Sequence, residues 1–183
     1  QLHRRQRQMC IRDSFLGAVE NFFSKCAPAM FMGWSNLNFD RRMFHFNFFK
    51  GNRYPYATHS SPNQEHDGLH IARAAQTLNS ETLKTELTQA GNPSLALESL
   101  SRMQGFDTSA SHTAYVDAQN SLKVLIIIKD KHKENWETFL KTSTKTSVET
   151  FLKNEGIYSI FENVKGRNMM YLTSTLHPNH IFH

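Results

Sequence analysis

Several stretches of this 183-residue chain combine residue types and spacing that could do chemistry. In "EHDGLH", His66 and His70 stand four apart, which on a helix puts both imidazoles on one face. That pair could ligate zinc or iron, with Glu65 and Asp67 beside it. A third ligand must come from elsewhere, and His59 and His112 are the candidates. The order differs from the HExxH protease signature, because the glutamate precedes the first histidine. The alternative is simply a polar helix start. "LHPNHIFH" spaces His177, His180 and His183 three apart, as metal or haem ligands or as a loop leading into a helix. "GIYSIFENVKGRNMMYLTSTL" reads as two strands around a "KGRN" turn, with Gly156 just after a helix. A four-residue loop, Lys165 to Asn168, would pair Val164 with Met169, Glu162 with Tyr171, Ile160 with Thr173 and Tyr158 with Thr175. Alternation then puts these eight on one face, which mixes tyrosines, threonines and a carboxylate with apolar residues.

The elements that would carry these groups follow from periodicity and punctuation. Phe15 to Lys25 reads as a short helix stopped by Pro28, and "RRMFHFNFFK" alternates as a strand. After the turn-rich "GNRYPYATHSSPNQEHDG", Ser61 as N-cap, Pro62 and Gln64 predict a helix to about Leu78, weakened at Gly68. Two more helices are expected, Ser80 to Ala90 and one from Asn92 to Gly105. "SHTAYVDA" reads as an edge strand and Leu122 to Ile128 as a central strand covered on both sides. An amphipathic helix through Trp136, Phe139, Leu140, Val148, Phe151 and Leu152 follows. The basic run "KDKHKEN" would then sit at a helix N-terminus, where the dipole disfavours cations. Phosphate loops, nucleotide-binding glycine fingerprints and nucleophile elbows are missing from the sequence.

Net charge is +5 with a pI near 9.3, and mean hydropathy is −0.54. Much of the basic excess lies in residues 1–14, where four arginines face Asp13 alone; the remainder carries +2. "RRQRQMCIRDS", Arg4 to Ser14, resembles the in-frame translation of a transposase-type adapter used in short-read sequencing libraries. That resemblance implies that residues 1–14 stand outside the fold and are disordered, that Met30, Met32 or Met43 could be the natural start, and that either end could be truncated. Cys26 would then be the lone thiol, with no disulfide framework. With the arm set aside, the charge argument for nucleic acid largely goes.

From Leu122 onward, strand, helix, hairpin and a new helix start at "HPNH" resemble the dimeric α+β barrel superfamily of antibiotic-biosynthesis-monooxygenase-like proteins. "KENWETFL" followed by "NEGIYSIFENVKGRNMMYLTS" carries the likeness. It implies an α+β fold: a ferredoxin-like, dimeric α+β barrel C-terminal unit over 106–183, preceded by a Phe-rich segment 15–60 and a three-helix segment 61–105. In such a barrel Tyr158, Glu162 and Tyr171 would be catalytic, with Glu162 as general base. Ile160, Val164, Thr173 and Thr175 would line the ligand cavity. The function expected is a small-molecule-binding barrel, such as a cofactor-independent oxygenase or isomerase. A non-catalytic interaction module, or a metal-dependent enzyme using His66 and His70, are the alternatives. The expected partners are a small organic molecule and a second copy, without nucleic acid or membrane, in the cytoplasm. The cofactor is either none or one the sequence does not name, haem or a divalent metal being the candidates.

Overall fold

The computed structural model describes residues 2–109 and 113–174, with side chains from Cys10 onward. His112, Thr175, His177, His180 and His183 therefore lie outside the described residues. The chain divides into two compact units, Gln1–Asp67 and Gly68–His183.

The first unit orders α1 (Leu2–Cys26), β1 (Met30–Gly33), α2 (Asp40–Lys50) and β2 (Gln64–Asp67). β1 and β2 pair in parallel, Met30 opposite Gln64 and Gly33 opposite Asp67. Asn63 sets the start of this pairing. Its Oδ1 accepts the Ala29 N–H at 3.0 Å, and its Nδ2 donates to the Ala57 carbonyl at 2.8 Å. Leu16, Val19 and Phe23 recur at helical spacing on α1 and meet Phe31, Phe44 and Phe48 in one aromatic core. Phe23 is its hub, edge-on to Phe31 at 5.0 Å and to Phe44 at 5.5 Å and stacked on Phe48 at 6.2 Å. Residues 4–14, expected to be disordered, are instead continuous helix within α1. Arginine, glutamine and methionine are good helix formers, and no glycine or proline interrupts them before Gly17.

The second unit contains α3 (Gly68–Leu78), α4 (Leu97–Met103), α5 (Ala114–Lys131), α6 (Lys133–Lys141), α7 (Lys145–Asn154) and the antiparallel hairpin β3 (Tyr158–Val164) and β4 (Arg167–Thr173). Ala72 and Ala75 of α3, and Val124, Leu125 and Ile128 of α5, are buried where those two helices pack.

Several expected elements are corrected. Leu122 to Ile128 is helix, not a central strand: Ser121, Val124, Leu125 and Ile128 are buried while Leu122 and Ile126 face solvent, a 3.6-residue stripe that a strand could not make. A short apolar run looks alike in either state, and the amphipathic residues before it decide the matter. With that strand, and with Ala114 to Ala118 of the expected edge strand also in α5, the ferredoxin-like barrel loses its sheet; among the described residues β3 and β4 pair only with each other. "RRMFHFNFFK" is helix α2, with Asp40 in its first turn and Lys50 in its last. The helix expected from Ser61 is β2 first and starts at Gly68. The basic run spans two helices: Lys129 and Lys131 close α5, where its dipole favours them, while Lys133 opens α6, so the expected helix N-terminus holds for the second half of the run. Lys131 Nζ donates to the Glu81 and Thr82 carbonyls, both at 2.8 Å.

Residues 80–90 are not helical. Several of their backbone groups go to side chains instead, with Gln76 Oε1 accepting the Leu83 N–H at 2.9 Å. Glu86 is held by Arg102 and Ser99. The single helix expected through Trp136 to Leu152 is two, α6 and α7, the second opened by a Thr144–Ser147 capping box.

The end of α4 is a Schellman motif. Phe106 N–H donates to the Ser101 carbonyl at 2.8 Å and Gly105 N–H to that of Arg102 at 3.0 Å, with Gly105 at φ +77°. A Cβ added at Gly105 would meet nothing within 4 Å, so its cost is conformational alone. Gly105→Ala should therefore destabilise the second unit by about 1 kcal/mol in urea unfolding; an unchanged midpoint would contradict the motif's role.

Candidate functional site

Buried polar side chains converge where β1 hands over to α2. Alternation along β2 puts Glu65 and Asp67 on one side of the strand, and both reach the connecting loop. Asp67 Oδ1 accepts the Ser35 N–H at 2.9 Å, and its Oδ2 accepts that of Leu37 at 3.4 Å. Ser35 adopts φ 60°, a left-handed conformation that these bonds help to hold. Glu65 is buried and accepts from Arg41 Nε at 2.8 Å, Asn36 Nδ2 at 3.0 Å and Thr58 Oγ1 at 3.5 Å. Gly33 makes the close approach of Asn36 feasible, since a Cβ there would lie 2.8 Å from Asn36 Cβ. With its oxygens so engaged, Glu65 acts as an anchor. What it anchors is the start of α2 and the exposed Asp40.

Against this anchor lie three rings. His45 is 5.2 Å from Tyr56 and 5.1 Å from His59, and Tyr56 is 5.6 Å from His59, centroid to centroid. His59 Nδ1 lies 3.6 Å from Glu65 Oε2. Among the described residues neither His45 Nε2 nor His59 Nδ1 has a hydrogen-bond partner, although both are shielded from solvent. Burial, and after it the nearby Arg41 cation, holds both histidines below the usual imidazole value, against the opposing pull of Glu65.

The outward side of α2 has a different character. Phe39, Met43, Phe46 and Phe49 are exposed there, with Arg42 and Lys50 among them. Lys50 Nζ lies over the Phe46 ring, 4.4 Å from its centroid.

The residues singled out from the sequence are placed otherwise. His66 is in β2 and His70 in α3, so the four-residue spacing no longer puts them on one helical face. Among the described residues no group of three His, Cys, Asp or Glu could hold a metal ion. The hairpin exists, but its loop has two residues, not four. Lys165 and Gly166 have φ 50° and 82°, and Val164 faces Arg167, Glu162 faces Met169, Ile160 faces Tyr171 and Tyr158 faces Thr173. A two-residue slip preserves the faces, so Tyr158, Ile160, Glu162, Val164, Tyr171 and Thr173 still share one side. Glu162 on that side is open to solvent, so the geometry of a general base in a closed cavity is not formed. Arg41, Asn36 and the anchoring role of Glu65 were not read from the sequence. Two carboxylates spaced by two, next to a turn-rich loop, are the signal that could have found them.

The chain resembles exodeoxyribonuclease I. It is 27% identical over 182 residues to that enzyme from Buchnera aphidicola subsp. Baizongia pistaciae, covering 90% of this chain and 37% of the relative. It is 25% identical over 119 residues to the Haemophilus influenzae enzyme, covering 64% of this chain and 25% of the relative. The structure superposes on E. coli exonuclease I bound to a dT13 oligonucleotide with a TM-score of 0.76 at 17% identity, over 92% of this chain and 38% of that one.

It shares its fold with part of exonuclease I.

The same enzyme bound to a dA16 oligonucleotide gives a TM-score of 0.77 at 18% identity, and the ExoI/SSB-Ct complex gives 0.74 at 17%. No family model matches the chain. The chain thus spans well under half of these relatives. The likeness to exonuclease I overturns the α+β barrel resemblance and the oxygenase or isomerase reading drawn from it; the argument for a homodimer goes with the barrel. It likewise overturns the expectation of a small organic partner without nucleic acid, since the matched structures hold oligonucleotides. It lends nothing to the adapter reading of residues 4–14, which lie in α1.

Two outcomes test the anchor. Glu65→Ala would leave Arg41 and Asn36 without their acceptor and should cost about 2–3 kcal/mol in urea unfolding, whereas an effect near zero would show the network to be idle. For the histidines, a folded-state pKa below the ordinary imidazole value of 6.5 means that the unfolded chain binds more protons under acid conditions. Stability should then be full above about pH 6.5 and decline as pH falls below it. His132, lowered by burial and by Lys131, adds a contribution of the same sign in the second unit. Unfolding midpoints at pH 7.5 and 5.5 should converge in a His45→Gln/His59→Gln variant; an unaltered pH dependence would count against the pair.

Proposed function

We propose that this chain is part of an exodeoxyribonuclease I-like enzyme that acts on single-stranded DNA. One observation carries the reading: sequence similarity and fold similarity lead to the same enzyme, each over most of this chain. The network at Glu65 and Asp67 suits such a role by fixing the loop and helix start that would meet a strand. Phosphodiester hydrolysis by nucleases commonly uses divalent ions held by carboxylates. Among the described residues no set of three ligands converges for one. This chain's own contribution is to bind and orient the strand. No described helix is long and apolar enough to cross a membrane. An enzyme acting on cellular DNA works inside the cell, and the cytoplasmic setting belongs to this reading.

Fluorescence anisotropy with a labelled dT13 oligonucleotide tests it. Saturable binding is expected at low salt, weakening as salt rises because phosphate contacts release counterions, and weaker for a duplex of equal length. Equal or tighter binding of the duplex, or no binding at all, would overturn the proposal.

A further inference from the structure

We infer that the outward face of α2 is a stacking platform for the bases of single-stranded DNA, an inference that rests on the function proposed above. At 100° per residue, Phe39, Met43, Phe46 and Lys50 fall in one narrow stripe, flanked by Arg42 and Phe49. Phe44 and Phe48 point the opposite way, into the aromatic core. The helix is therefore apolar on two opposed faces, and among the described residues only one of them is packed. Phe39, Phe46 and Phe49 are 66%, 55% and 76% exposed, a large unpaired aromatic area for one three-turn helix.

What covers this face can be argued from its charge. The stripe holds two cations and no carboxylate, Asp40 standing at its edge. An apolar protein segment would have to bury Arg42 and Lys50 without a partner, which is costly. A nucleic acid strand supplies both needs, flat π-faces for the rings and phosphates for the cations. Lys50 already lies over Phe46 and is thus placed where a phosphate beside a stacked base would meet it. From Phe39 to Phe49 the helix rises about 15 Å, roughly the length of four stacked nucleotides. The bonds from Asp67 to the loop and from Glu65 to Arg41 hold the first turn in place before any ligand arrives.

The test is a titration of the chain with labelled dT13, comparing wild type with Phe46→Leu, Phe49→Leu, their combination, and Arg42→Gln/Lys50→Gln. Leucine keeps the helix and the apolar surface but removes the π-face, and urea unfolding verifies that each variant is folded. Each Phe→Leu change should weaken binding about 5-fold or more, and the pair more than either alone. The double charge variant should reduce the slope of log K against log salt by about 1.4. Wild-type binding with all four variants unchanged would overturn the platform and leave the proposed function standing. Absence of wild-type binding would overturn both. Affinity retained by the leucine variants but lost on Phe46→Ser/Phe49→Ser would show apolar docking without base stacking, and would also overturn it.

Discussion

The arrangement of the first unit depends on two carboxylates at neighbouring inward positions of a four-residue strand. Asp67 and Glu65 together fasten the loop between β1 and α2 to β2, one through backbone N–H groups and the other through the side chains of Asn36, Arg41 and Thr58. A two-stranded parallel sheet is a weak scaffold by itself, because its ladder has few bonds and two open edges. Here charge-assisted hydrogen bonds add to the ladder and act on the connection rather than on the strands. Removing a donor leaves a buried carboxylate short of partners, so the network is an all-or-nothing device and its geometry is narrow.

That constraint explains how α2 can present aromatic residues to solvent without losing its place. Its inner face joins the Phe23 hub, and its first turn is tied through Arg41 to Glu65. Neither hold uses the outer face. A helix located by one face and one end can keep the opposite face for a ligand, and the exposed phenylalanines cost little in stability if the rest is already fixed. Pre-organisation of this kind lowers the ordering cost on binding. Rings on a rigid helix lose little freedom when a base stacks on them.

How much of this was legible in the sequence can be argued residue by residue. The hairpin could be read because alternation and a turn dipeptide act locally; only the loop length was missed, because Lys165 adopts a left-handed conformation usual for Asn or Gly. α2 was not legible as a helix: phenylalanine at 44, 46 and 48 mimics a strand, and the competing 3–4 spacing of Phe39, Met43, Phe46 and Lys50 emerges only once both faces are apolar. Leu122 to Ile128 failed for the opposite reason, since the unbroken apolar run from Val124 has no period at all and the burial stripe is set by α3 packing against it. His66 and His70 illustrate a third cause. Their spacing had meaning only on a helix, and the parallel pairing with β1 claimed His66 for a strand. The anchoring role of Glu65 requires residues 24 and 29 positions away, Arg41 and Asn36, and no local pattern could supply it.

The expectation that nucleic acid was excluded failed on a point of electrostatics rather than of fold. It averaged charge over the chain and found the body near neutral once the arginine-rich start was set aside. Binding a strand does not depend on that average. At physiological ionic strength the screening length is about 8 Å, so a phosphate responds to the cations in its own neighbourhood. Two cations among four exposed apolar side chains, with the acidic residues kept inside as loop anchors or at the helix edge, make a local field that the total conceals. Eleven of the sixteen acidic residues lie in the second unit, and Glu65 and Asp67 of the first are buried, so the total says little about the outer face of α2. Glu65 and Asp67 count as negative charge in the composition, yet both are buried as loop anchors and leave the outer face of α2 to its cations.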